Sequence, residues 1–302
     1  MGTILVGTCS WADPTLVKET DWYPKSAKSP EDRLRYYSEQ FPIVEIDSLY
    51  YALPSEEAAF NWAERTPEAF VFDAKAFRLL TAHPTQPKSL PRDIREALPP
   101  KLAEKRHVYL HEMPEALTSE VWQRFRLGLE PLRQAGKLGA ILLQFPRWFF
   151  PSHESREQIL QAREALPDAR LAVEFRHNSW VNDKNRQRTL DFLSDNRMSF
   201  VCVDEPELKD TLPPFVAVTN PELAMVRFHG RDPEAWSSKT ASPAARFRYL
   251  YSEPELKEWL PRLEELAGQT QETHALLNNC FRDHAVVNAQ QLRELVQRKE
   301  RE

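Results

Sequence analysis

The segment Leu171 to Trp180, LAVEFRHNSW, sets the tightest limit on the fold. Side chains of a strand alternate between two faces, so Leu171, Val173 and Phe175 share one face while Ala172, Glu174 and Arg176 share the other. One face is apolar; the other ends in a carboxylate and a guanidinium. A half-exposed strand would turn that charged face to water, but a strand followed closely by a helix is covered on its outer side. Its charges must then point inward. A closed parallel barrel accommodates them, because such barrels carry their functional groups at the C-terminal ends of the strands.

The same alternation recurs along the chain. Ile4 to Thr8 reads as a strand ending at Cys9-Ser10-Trp11, and Ser29 caps a helix with Pro30 at its first position. Phe41 to Tyr51 reads as the second strand, with Val44 and Ile46 opposite Glu45 and Asp47, and Ser55 with Glu56 and Glu57 opens a helix through Arg65. Phe70 to Ala76 is the third, with Asp73 and Lys75 inward. A proline-rich insertion over residues 83–118 follows, placed to be a lid, a substrate wall or a plain surface elaboration. A helix from Ser119 to Gln134 leads to the fourth strand, Leu138 to Pro146, with Gln144 at its end. The Leu171 segment is the fifth. Met198 to Glu205 is the sixth, with Cys202 and Asp204 inward; Leu223 to Gly230 is the seventh, with Arg227 and His229 inward; Thr273 to Cys280 is the eighth, before a helix from about Val286 to Arg298. The expected fold is α/β: a single eight-stranded parallel (β/α)8 TIM barrel spanning residues 1–302, with the insertion after the third strand.

Composition excludes several classes. The net charge of -5 gives no global attraction to nucleic acid or acidic membranes, so any anion must meet a local basic cluster. No run of about 18 apolar residues occurs, MGTILVGTCSW carries neither a basic n-region nor a long apolar h-region, and the expected location is the cytoplasm. Cys9, Cys202 and Cys280 are spread over the whole length without disulfide or zinc spacing. Seven glycines, without a Gly-rich fingerprint, speak against the common nucleotide-binding loops.

Counting from each oily face places two tiers of polar groups in the barrel mouth. Asp47, Lys75, Gln144, Arg176, Asp204 and His229 form the upper tier; Glu45, Asp73, Glu174, Cys202 and Arg227 lie two residues deeper. In the eighth strand either Asn278 or Asn279 faces inward. Acids and bases so placed would either touch a ligand or neutralise one another as a buried ion-pair network that only fixes the barrel.

At this point the sequence resembles a known family. GTCSW at Gly7 to Trp11, WYP at Trp22 to Pro24, VEIDSLYYALP at Val44 to Pro54, LLQFP at Leu142 to Pro146, VEFRHNSW at Val173 to Trp180, VRFHGR at Val226 to Arg231 and NNCFRDHAVVNA at Asn278 to Ala289 are similar to the YecE-like family, domain of unknown function 72. The match runs nearly end to end. The resemblance implies a TIM barrel and no particular reaction. The family's C-terminal motif carries a glycine-containing turn; here Cys280 to His284 stands in its place without glycine.

The expected function is acid–base chemistry of hydrolase, isomerase or lyase type on a small anionic, ring-bearing molecule such as a sugar phosphate or nucleotide fragment. His229 would carry the proton, with Glu174 or Asp204 orienting it or acting as the second acid–base group. Lys75, Arg176 and Arg227 would hold the anion, with Gln144, Asp47 and Asn278 or Asn279 supplying hydrogen bonds. Trp11, Tyr50 and Trp180, with Trp22, Tyr23 and Tyr51, would stack a ring or pack loops. This chemistry calls for no redox cofactor. One alternative is a divalent-metal isomerase or a nucleic-acid-processing barrel, with Glu174, Asp204 and His229 as metal ligands, though Arg176 and Arg227 would repel the ion. Another is a ligand-binding barrel without turnover. The sequence leaves the oligomeric state open.

Overall fold

A computed structural model describes residues 1–238 and 246–299. Eight parallel strands pair in sequence order and close, the eighth against the first. They are β1 (Thr3–Thr8), β2 (Ile43–Ile46), β3 (Val71–Lys75), β4 (Leu138–Gln144), β5 (Leu171–Glu174), β6 (Met198–Asp204), β7 (Leu223–Phe228) and β8 (Glu272–Leu277). The barrel expected from the alternating faces is therefore present.

Helices cover the outside. The longer ones are α1 (Pro30–Gln40), α2 (Glu56–Glu64), α3 (Glu115–Gln134), α4 (His153–Ala165), α5 (Arg186–Asp195), α6 (Leu260–Ala267) and α7 (His284–Lys299). Ser29 closes a capping box with Asp32 at the start of α1, and Ser55 caps α2, so two helix starts read from hydroxyl residues are confirmed. Helix α3 begins four residues ahead of the expected Ser119, with Pro114 at the capping position. Between β6 and β7 no regular helix forms. That crossover, residues 205–222, packs by Phe215 stacked on Phe200 at 5.2 Å.

The strands are shorter than their apolar runs. The run from Phe41 to Tyr51 yields only Ile43–Ile46 before a 3-10 turn over Asp47–Tyr50, and β5 ends at Glu174 before another over Asn178–Trp180. These turns carry the chain from the barrel rim outward. Phe175 and Trp180 then stack at 4.1 Å in the layer between barrel and helices, with the Trp180 indole N–H donated to the Phe149 carbonyl. The insertion is pinned by a bridge between Thr85 and Val108, and Leu90, Ile94, Leu98 and Val108 are buried in the core. None of the described helices is long and apolar enough to cross a membrane.

Candidate active site at the barrel mouth

Inside the barrel the charges form one chain. The guanidinium of Arg227 donates two hydrogen bonds to Glu45, at 2.9 and 2.7 Å, and a third to Glu174 at 2.6 Å. All three side chains are fully buried. Glu174 also takes Arg176 at 2.5 Å and the Gln144 amide at 2.8 Å, while Arg176 reaches on to Glu205 at 3.1 Å. Burial opposes charge on Glu174, yet Arg176, Arg227 and His229 together hold it well below the usual carboxylate range. It is the ionised hub of the site.

This geometry divides the expected substrate binders. Arg227 is wholly enclosed by Glu45, Glu174 and Cys9, so it supports the site and cannot reach a ligand. Lys75 and Asp47 form a 2.6 Å pair nearer the opening, with the Lys75 ammonium 4.8 Å from the Tyr50 ring centre. Asn278 faces inward and Asn279 outward, where its amide donates to the Tyr249 carbonyl and to Asn288. The alternation of β8 decides this, since Glu272, His274 and Leu276 line the interior with Asn278.

Asp204 is the main correction. Paired residues of a parallel ladder share a face, and Asp204 is paired with Phe228, whose ring packs outward on Trp259 at 5.1 Å. The Asp204 carboxylate accordingly accepts from Trp259 Nε1, Tyr251 Oη and Arg231, away from Glu174 and His229. Cys202 turns outward with it, its thiol toward the Ala217 carbonyl. The expected metal set Glu174, Asp204 and His229 is therefore not assembled, and no other such cluster occurs among the described residues. Alternation cannot fix the inward face of the sixth strand, because both of its faces are apolar up to the final acid pair. Glu205, one residue on, is the inward acid. Asp204 still bears on the site through backbone: the Tyr251 hydroxyl that it accepts from also takes the N–H of Gly230, whose φ of +89° an L side chain rarely adopts.

His229 is fully buried at the end of β7. Its Nδ1 lies 2.9 Å from the Asn278 amide nitrogen, and an amide donating there leaves the ring proton on Nε2. Nε2 stands 3.2 Å from Glu174 but off line for a hydrogen bond. Burial, with Arg176 close by, pushes the ring down to about 3, so His229 is neutral at pH 7 rather than a carrier titrating near neutrality. Glu205 moves the other way: burial raises it to about 7 against the pull of Arg176.

Trp11 and Trp180 are not ligand contacts. Trp11 lies edge-on to Trp62 and Phe72, 5.8 and 6.3 Å away, between helix α2 and the outer face of β3. Trp22 and Tyr23 pack against Tyr36 over α1. The sequence reading missed Arg78, His83, Trp148 and Trp236, which lie in the segments beyond the strand ends, where alternation carries no signal. Arg78 stacks over Tyr50 at 5.3 Å, has no carboxylate within ion-pair distance among the described residues, and leaves a buried Nε without a partner. Trp236 covers Arg176 at 5.5 Å and His229 at 6.3 Å, and its indole N–H is likewise buried and unpartnered.

The comparisons with known proteins agree with this architecture. The chain is 29% identical to the UPF0759 protein YunF of Bacillus subtilis, over 97% of this chain and 94% of that one. A crystal structure of a DUF72 family protein from Enterococcus faecalis superposes with a TM-score of 0.79 at 25% identity, covering 98% of this chain and 96% of that one. One from Thermotoga maritima gives 0.75 at 29% identity, covering 98% and 99%. The family model described as protein of unknown function DUF72 matches residues 5–302, and the chain belongs to that family.

Proposed function

We propose that the barrel mouth is the active site of an enzyme performing proton-transfer chemistry, of hydrolase, isomerase or lyase type, on a small anionic substrate. The observation that carries this reading is the pair of buried donors without partners beside one opening, Arg78 Nε above β3 and Trp236 Nε1 above β7, with the His229 Nε2–H 3.2 Å from the Glu174 carboxylate beneath Trp236. Buried polar groups are nearly always satisfied, so each unpartnered one calls for an explanation, and at the mouth a bound ligand supplies it.

Each role follows from the surroundings of the group. Arg78, free of any acid among the described residues, and Arg176, whose two carboxylates hold it in place, bind the anion; Lys75 adds positive charge beside them. Neutral His229 donates from Nε2 to a substrate oxygen that gains negative charge, as a fixed dipole requiring no reorganisation. Glu205 exchanges the proton, because its carboxyl is poised near neutrality. Its carboxylate is fully enclosed, accepting the Leu212 N–H at 2.9 Å on one oxygen and Arg176 at 3.1 Å on the other.

Calorimetry with inorganic phosphate, and with citrate as a carboxylate probe, tests the anion site. Wild-type protein should bind at least one of them, and Arg78→Gln should weaken that binding by about tenfold, the usual scale for losing one charge-assisted contact. Equal affinity in the variant would remove Arg78 and with it the proposed placement of the anion.

A further inference from the structure

Four aromatic rings follow one another along the rim of the barrel mouth, each edge-on to the next. Tyr51 meets Tyr50 at 5.0 Å, Tyr50 meets His83 at 5.2 Å, and His83 meets Trp148 at 6.2 Å. They come from the turns after β2, β3 and β4, and the terminal rings are open to solvent: Tyr51 is 62% and Trp148 56% exposed. An indole so exposed is unusual beside a fully organised interior. The row is continuous with the anion site, since Lys75 and Arg78 both lie over the Tyr50 ring.

His83 gives the wall a polar edge. Its Nδ1 is engaged by Thr81 Oγ1 at 3.1 Å, while no group among the described residues pairs with Nε2. Burial, and then Lys75, Arg78 and Arg176, push its titration down to about 3, so it presents a neutral ring nitrogen. A sugar face would satisfy the indole alone. A planar heteroaromatic ring offers a π face to Trp148 and in-plane nitrogen or oxygen atoms to His83 Nε2.

We propose that Tyr50, His83 and Trp148 form a stacking subsite, so that the substrate joins its anionic group to a planar heteroaromatic ring, as a nucleoside monophosphate does. This rests on the anion site of the proposed function and assigns the ring class that goes with it. The anionic group sits by Arg78 and Lys75, and the ring extends along the rim toward Trp148.

Three probes of increasing size separate the two readings: inorganic phosphate, ribose 5-phosphate and AMP, titrated by calorimetry. AMP should bind about tenfold or more tighter than ribose 5-phosphate, the gain expected of one base–aromatic stack. Trp148→Ala should remove that gain while leaving ribose 5-phosphate binding unchanged, and Trp148→Phe should keep part of it. Because Trp148 is exposed, folding of these variants is checked simply by an unchanged thermal midpoint. AMP and ribose 5-phosphate binding equally well, with Arg78→Gln weakening both, would overturn the subsite and spare the anion site. An AMP advantage that survives Trp148→Ala would also overturn it. No binding of any probe would overturn both.

Discussion

His229 and His274 are both fully buried inside one barrel, on the adjacent strands β7 and β8, and their protons behave in opposite ways. Near the N-terminal end, His274 Nδ1 lies 2.8 Å from Asp73 and its Nε2 3.4 Å from Glu272, which is held in turn by Arg170 at 2.5 Å. Burial alone would discharge it, but Asp73 and Glu272 raise it to about 9. Gly139 makes the room, because a Cβ there would stand 2.5 Å from Asp73 Oδ1. The neighbouring Ala140 N–H is donated to the same carboxylate at 2.7 Å, where the register of β3 against β4 shifts. At the mouth, His229 meets an acid already claimed by two arginines and is neutral. A buried histidine with acids of its own is a structural cross-link; one that must share its acid with stronger cations stays neutral.

The largest expected effect falls on the charge chain between the two histidines. Arg227→Met leaves Glu45 and Glu174 buried without their shared cation, and should cost about 3–5 kcal/mol of unfolding free energy, read by urea titration. A loss under about 1 kcal/mol would mean that water already reaches those carboxylates. Next comes the lower end of the barrel. His274 has a folded value raised from 6.5 to about 9, so its stabilisation is complete below pH 6.5 and is lost as pH rises to about 9. At about 1.4 kcal/mol per unit, that is roughly 3 kcal/mol. Chemical denaturation between pH 6 and 9.5 should show the decline in wild type and a flatter profile in His274→Gln; parallel profiles would show that His274 is not the charged member of its cluster.

The smallest change in stability belongs to the mouth. His229→Gln loses one neutral hydrogen bond with Asn278 and should cost only about 1–2 kcal/mol at pH 7. In acid the sign reverses. Unfolded histidine takes up a proton below 6.5 while folded His229 resists until about 3, so wild type loses stability through that window and the variant should lose less. With a turned-over substrate in hand, the same substitution should lower kcat by about 100-fold or more, as removal of a preorganised donor to a developing oxyanion does. Full turnover would take His229 out of the chemistry and leave Glu205 as the remaining acid–base group.

Much of the barrel was legible because inward charges recur opposite oily faces. Glu45, Lys75, Glu174, Arg176, Arg227 and His229 each alternate against clear apolar partners, and each lies where that alternation puts it. Strand β6 was illegible for the opposite reason. Phe200, Cys202 and Asp204 compete with Val201, Val203 and Glu205 for the interior, and a one-residue change of parity exchanges every side chain. The pairing of Asp204 with Phe228, and a tryptophan 55 residues away, resolve it.

Two kinds of information are thus separated in this protein. Local periodicity is a property of neighbouring residues, so the amino-acid sequence by itself determined eight strands and the inward faces of those whose charges alternate against clear apolar partners. Protonation and ligand access depend on what arrives from distant strands and turns. His229 and His274 differ because Glu174 is shared with two arginines and Asp73 is not, and Arg78, His83 and Trp148 join the mouth only because 3-10 turns and loops fold back over it. Burial magnifies each of these long-range contacts, since weak screening in the interior lets one neighbouring charge decide a side chain's state.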